Sequence, residues 1–403
     1  MSQAAFSPSL LSVARDRAGE FELLCACAST NPAPEQIALI ADWGRCGIEW
    51  SQFRELAEHH GVLPLVARNL SLYARGLPSE LQKSLQSVYE SNLRRSLWFA
   101  AELTRIVQQF ELGKVLVVPY KGPVLSQSAY GDLGLRSFFD LDLLILPSDF
   151  ARAKQVLAEV GYQPSEEISP SIERLWLRNG YERSFDGATG KNLVELQWNL
   201  LPYFYAVDPR LAGFRVEDLL ARAGRIKLGE LDGAAEIPCL SVEDSLLALC
   251  LHAAKHLWTR LIWVADIAES ARVRPIDFEI VAKRASAMGI ARIVGVSFEL
   301  ARQLWGATIP RAIDELVTRG PDVQVLGREF RERISAGASY NFESTEYFRR
   351  VYRLRERGSD QRRYLWRLLW TPGPGDVAMM EVPEFAFPLY RAVRIGRLLR
   401  KFL

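Results

Sequence analysis

The sequence predicts an α+β fold, with a small mixed sheet set between an N-terminal and a C-terminal helical region. Three observations predict it. Apolar residues recur at helical spacing before residue 112. They do so again after residue 240. Between these regions lie short β-branched or alternating runs bounded by turn residues. Residues 1–111 are read as the N-terminal helical region, 112–205 as the core and 206–403 as the C-terminal helical region with a basic tail. A chain of 403 residues, 49% hydrophobic and 24% charged, has the balance of an ordinary globular protein of two or three units.

Each element follows from its local pattern. Ile37, Ala38, Ile40, Ala41 and Trp43 give helical spacing, as do Phe53, Leu56, Ala57, Val62 and Leu65. Pro78-Ser79-Glu80 opens a longer helix, with Ser79 as its cap, that runs through Leu85, Tyr89, Leu93 and Leu97 towards Phe110. The texture changes at Leu112-Gly113-Lys114. Val115 to Val118 is short, continuous and largely β-branched, as in a buried strand. Phe139 to Leu146 (FDLDLLIL) is a second strand, and period two puts Asp140 and Asp142 on one face. Phe150 to Val160 is a helix stopped by Gly161. Glu182 to Phe185 and Leu193 to Trp198 are two further strands joined by the turn DGATG, and Glu195 and Gln197 share a face. Ser241 and Asp244 form a capping box, followed by a helix through Leu246, Leu249, Cys250, Ala253 and Leu257. Further helices are expected near 277–288 and 290–305. Thr371 to Gly375 reads as a turn, and Tyr390 to Leu403 as a basic amphipathic helix.

Composition removes several function classes. The formal net charge is +2, which argues against a dedicated nucleic-acid coat. That total hides a basic tail, with 13 Arg and Lys against 5 Asp and Glu from Arg349 onward. Only 4 His and 5 Cys are present, with no Cys-x-x-Cys pair, so a zinc ribbon is not expected. The odd Cys count and an N-terminus without a secretory pattern lead to a cytoplasmic expectation. No apolar run reaches the roughly 18 residues needed to span a bilayer.

Asp140-Leu141-Asp142 is a costly strand, because two carboxylates on one face repel each other unless a cation lies between them. Magnesium suits such hard oxygen ligands, with manganese as an alternative. Glu195, on a later strand among Leu193, Val194 and Leu196, supplies a third acid. Two aspartates on one strand and an acid on its neighbour suit metal-assisted phosphoryl chemistry, so Asp140, Asp142 and Glu195 are the expected catalytic and metal-holding residues. Lys121 and Gly122 follow the first strand, where a glycine lets backbone N–H groups approach a phosphate. Arg136, four residues before Asp140, is in reach of a phosphate or of the carboxylates.

The run YKGPVLSQSAYGDLGLRSFFDLDLLIL resembles the core of the uncharacterised nucleotidyltransferases in the DNA polymerase β-type superfamily. Their pattern is a strand, then Lys-Gly, a Tyr before an Arg, and Asp-x-Asp on the next strand. The resemblance extends to LVELQW, where Glu195 takes the third-acid position, to LCLHAAKHLWTRLIWVADIA and to the closing PGPGDVAMMEVPEFAFPLYRAVRIGRL. It covers the chain from about residue 35 onward. It implies that 112–205 is a nucleotidyltransferase catalytic core using an NTP, ATP among the candidates. It also implies a natural-product tailoring role. Lys-Gly stands in place of the superfamily's usual Gly-Gly or Gly-Ser. Gln197 stands where relatives often carry His, and Phe139 where a small residue is common. Neither change removes a metal ligand.

Other readings are kept beside this one. His252 and His256, with Arg260 and Asp266 following at near-helical spacing, line a cleft for nucleotide or acceptor, or serve as core hydrogen-bonding groups. A zinc site of the HExxH kind is not expected, since Ala253 and Ala254 lie between the histidines. Arg391, Arg394, Arg397 and Lys401 form either a solvated helix face or a membrane-surface or nucleic-acid contact. Trp366 and Trp370 read as core. The rival functions are a nucleotide-binding module without catalysis and an RNA-end modifying enzyme.

Overall fold

The computed structural model describes residues 19–43, 49–188, 193–229, 235–273, 275–338, 341, 344–377, 382 and 384–402. Part of the expected DGATG turn, Cys46 and the last residue of the expected C-terminal helix lie outside them. The architecture is α+β as expected, with one five-stranded mixed sheet and helical regions on either side.

The sheet order is β1-β2-β5-β4-β3, with β1 at Val117–Pro119, β2 at Asp140–Ile145, β3 at Tyr162–Pro164, β4 at Glu182–Gly187 and β5 at Leu193–Gln197. β2 and β5 are parallel, and every other neighbouring pair is antiparallel. The expected strand at 115–118 begins two residues later. Lys114 takes a positive φ of 55°, and the Val115 amide still bonds to the Phe110 carbonyl of the preceding helix, so the chain is free to pair only from Val117. Two strand elements carry no sequence expectation. One is β3. The other is a ribbon of β6 (Gly224–Lys227) and β7 (Glu236–Cys239), whose Ile237 and Cys239 pack into the core shared with Val117.

The two faces of β2 serve different purposes because side chains alternate along a strand. Leu141, Leu143 and Ile145 face a core with Phe99, Leu103, Ile106 and Phe110 from the helix Ser79–Leu112. That helix starts after Pro78, and Ser79 makes no side-chain cap. Asp140, Asp142 and Leu144 face the other way, towards the larger helical core. There the helix Val242–Lys255 is the central element, opened by the Ser241 hydroxyl accepting from the Asp244 amide at 3.2 Å as the capping box predicts. The acids therefore lie at the seam between sheet and helices.

The C-terminal region differs from expectation in two ways. Trp366 and Trp370 are not core: their rings stack 4.9 Å apart and they are 60% and 38% exposed. Nor is the basic stripe wholly solvated, since Arg394 and Arg397 of the helix Leu389–Phe402 turn inward to Asp376 at 3.3 and 2.8 Å. Among the described residues no helix is long and apolar enough to cross a membrane.

Candidate active site

Strand register brings the acids together. Asp142 pairs directly with Glu195 across β2 and β5, and Asp140 lies two residues earlier on the same face. Glu182 at the start of β4 pairs with Gln197 of β5, adding a fourth carboxylate that the sequence reading did not single out. Its alternation with Ser184 on an edge-side strand was the available signal, but its neighbour across the ladder is set only by register.

Gln197 ties these acids. Its amide nitrogen donates to Asp142 Oδ1 at 2.9 Å, to Glu195 Oε2 at 3.1 Å and to Glu182 Oε2 at 3.2 Å. The buried Tyr120 hydroxyl donates back to Gln197 Oε1 at 2.7 Å, which fixes the amide orientation. The Lys121 ammonium lies 2.7 Å from Asp142 Oδ1, and both residues are buried. It also meets Nδ1 of His252 at 3.4 Å. An ammonium only donates, so His252 Nδ1 accepts and its proton sits on Nε2.

Negative charge outweighs positive charge here. Burial raises the Glu195 pKa to about 8, with Asp142, Glu182 and Asp140 adding to the rise and Lys121 opposing it. Burial and Asp142 likewise raise Asp140, against Lys121 and Arg136. Burial works against the Lys121 charge, but Asp142, Asp140 and Glu195 overcome it and raise its pKa. Burial, followed by the charge of Lys121, pushes His252 well below the ordinary histidine range, and burial does the same to His256. Both histidines are neutral at pH 7.

These acids are hard oxygen donors of the kind a divalent cation takes. Carboxylates crowded enough to hold on to protons are stabilised by added positive charge, and Asp142 Oδ2 is buried with no partner. Among the described residues no three His, Cys, Asp or Glu side chains form a ready-made metal cluster. The Lys121 ammonium and the Gln197 amide stand among the acids instead.

Gly122 is where the chain turns out of β1. Its φ of 55° is left-handed, the region a glycine enters without steric cost, and the short helix Gly122–Leu125 starts there. A Cβ on it would lie 3.4 Å from the Asp140 carbonyl oxygen. The loop after β1 is thereby packed directly on the acid-bearing strand.

Two chambers open from the acids. The first, about 460 Å³, is lined by Arg95, Lys121, Arg136, Arg260, Phe139 and Trp263 with Asp140, Asp142, His252 and His256. Arg136 is anchored by Asp266, its Nε and a terminal nitrogen donating to the two carboxylate oxygens at 2.8 and 2.9 Å, while the Tyr130 hydroxyl donates to the same Asp at 2.7 Å. Asp266 is thus buried behind the chamber and positions Arg136. Arg95 has no counterpart in the sequence reading. It stands on the long helix with its guanidinium 4.3 Å over the exposed Phe139 ring. Trp263 stacks on His256, ring centroids 4.6 Å apart.

The second chamber, about 570 Å³, shares Lys121, Asp140, His252 and His256 with the first and continues past Glu195 and Glu182. Its walls are mostly apolar, with Trp176, Tyr181, Tyr347 and Phe348. Lys255 lies 4.0 Å from Glu182 and donates to the Tyr181 hydroxyl at 3.3 Å.

A family model described as uncharacterised nucleotidyltransferase matches residues 47–306. No curated protein matches the chain.

Proposed function

This chain belongs to the uncharacterised nucleotidyltransferase family, and from that premise we propose that it moves an NMP from an NTP to a hydroxyl or phosphate of a small molecule, peptide or protein. The observation that carries the reading is the register pairing of Asp142 with Glu195, with Asp140 on the same face and Lys121 beside them. Asp140, Asp142 and Glu195 hold magnesium, or manganese, in this reading. Bound there, the metal supplies positive charge to the triphosphate and lowers the pKa of the acceptor hydroxyl.

The chain's own groups do the rest. Lys121 leaves Asp142 for the triphosphate, joined by Arg95 and Arg136, with Arg136 held in orientation by Asp266. The Gly122 turn keeps the backbone of the loop after β1 close to the phosphates. Neutral His252 and His256 line the passage without adding charge. Glu195 takes the acceptor's proton as the acceptor oxygen bonds to the α-phosphorus. The bond from that phosphorus to the bridging oxygen breaks, and pyrophosphate leaves. A natural-product tailoring role is consistent with this chemistry.

The intact acids favour an enzyme over a nucleotide-binding module. RNA-end modification receives weak support from the basic C-terminal segment, as does contact with a membrane surface through the exposed Trp366, Trp370 and Leu399. The deciding experiment measures pyrophosphate release from NTPs with magnesium and acceptor extracts, with mass spectrometry of the adduct. Wild-type turnover that Asp142→Ala abolishes is expected. No turnover, together with unchanged nucleotide affinity in Asp142→Ala, sinks the enzyme reading.

A further inference from the structure

The two chambers that meet at the acids are chemically unlike, and they are built from different parts of the chain. Every wall of the first lies between Glu58 and Trp263, inside the segment that matches the family model. It carries Arg95, Arg136 and Arg260. The second takes one whole side from beyond that segment: Tyr347 and Phe348 at the start of the helix Thr345–Leu354, then Thr371, Pro372 and Gly373. Gly373 is held by the buried Asp376, which accepts from its amide at 2.7 Å and holds Arg394 at 3.3 Å, while the Tyr347 hydroxyl donates to the Lys255 carbonyl at 2.9 Å.

The cations of the second chamber are already engaged. Lys255 is opposed by Glu182 and Arg394 by Asp376, while Lys121, which both chambers share, is the group assigned to the triphosphate. No cation is left over for a phosphate or carboxylate, and Glu182 and Glu195 repel one. An ammonium group meets Lys121 and Lys255 on the same wall. What remains is flat aromatic surface on Trp176, Tyr181, Tyr347 and Phe348. The volume is of the order that holds a small-molecule ligand.

We propose that the second chamber is the acceptor site, and that it takes a small, uncharged, ring-bearing alcohol whose hydroxyl reaches Glu195. The site rests on the nucleotidyl-transfer reading, and it narrows the acceptor from any hydroxyl or phosphate to a neutral alcohol. The segment from Tyr347 to Gly373 forms one wall of the acceptor site, so acceptor choice is shared between Trp176 and Tyr181 of the matched segment and a part of the chain outside it.

The test uses the full chain with magnesium and α,β-methylene-ATP, a nucleotide that cannot transfer. Phenyl β-D-glucopyranoside is the neutral probe and phenyl phosphate the anionic one, both followed by saturation-transfer NMR. Nucleotide binding is measured separately by calorimetry. The glucoside is expected to bind equally well with and without the nucleotide, and at least tenfold more tightly than phenyl phosphate. Thr371→Trp, which fills the chamber from its rim, should weaken the glucoside at least tenfold, while Thr371→Ser should not. Displacement of the glucoside by the nucleotide overturns the proposal. So does tighter binding of phenyl phosphate, no binding of the glucoside, or indifference to Thr371→Trp in a folded variant. If the glucoside behaves as expected but no nucleotide binds, the transfer reading fails and the chamber is a binding site with no acceptor role.

Discussion

The Lys121 ammonium stands 2.7 Å from Asp142 Oδ1, so the cation touching the central aspartate is one the chain brings itself. Both side chains are buried, and removing one partner of such a pair leaves an uncompensated charge. Lys121→Met should therefore cost about 3–5 kcal/mol in urea unfolding without metal. Magnesium should restore more stability to the variant than to the wild type, because it replaces the missing charge. Equal stability of the two proteins in EDTA would show that the pair is not holding Asp142.

Glu195 sets a pH dependence. Its carboxyl has an ordinary value of 4.5 and is raised to about 8 in the fold. A group raised on folding contributes stability that is complete below its unfolded pKa and is lost as pH rises through the folded one. Burial is the main push in this direction, Asp142, Glu182 and Asp140 add to it, and Lys121 opposes them. Thermal unfolding in EDTA should thus lose about 4 kcal/mol between pH 5 and pH 8.5. Glu195→Gln should flatten the profile, and an unchanged slope in that variant would refute the assignment.

Gln197 is the shared donor of three carboxylates and the acceptor of the buried Tyr120 hydroxyl. Gln197→Leu leaves that hydroxyl without its acceptor and removes the donor among the acids. The expected cost is about 2 kcal/mol. Gln197→Glu adds a further negative charge and should cost more at pH 8 than at pH 5. Chemical denaturation at both pH values reads the difference, and a smaller cost at pH 8 contradicts the role given to this amide.

Asp266 acts through Arg136. Asp266→Asn breaks a buried, two-pronged pair and should cost about 3 kcal/mol. Arg136→Lys keeps the charge but not the fork. It should raise the KM for NTP about tenfold while leaving kcat within about threefold, as expected when an orienting contact is lost. A fall in kcat with KM unchanged would assign Arg136 to the transition state instead.

What was legible in the sequence follows from physical range. Asp140 and Asp142 stood out because a strand's period of two is local, and carboxylates in FDLDLLIL have no local partner. His252 and His256 were paired by helical spacing, and they do sit together, ring centroids 4.7 Å apart. β3, β6 and β7 were missed because three or four residues such as Tyr162-Gln163-Pro164 carry too little pattern. Glu182 and Arg95 were missed for another reason: Glu182 meets Gln197 through ladder register, and Arg95 comes to the first chamber by packing of the long helix over Phe139. The exposure of Trp366 and Trp370 was misread because an apolar stripe does not say whether anything covers it.

The parallel pairing of β2 with β5 has one more consequence. Asp142 and Glu195 are neighbours in space but 53 positions apart in the chain, and between them the chain leaves the sheet, rejoins it as β3, leaves again through the helix Pro170–Asn179 and returns as β4. Segment 165–181 is held at both ends by the β3–β4 ladder, so it is the part that can lengthen, shorten or be exchanged without moving either acid. Trp176 and Tyr181 lie in it. Descendants of this chain can remodel that wall while inheriting an unaltered pair of acids.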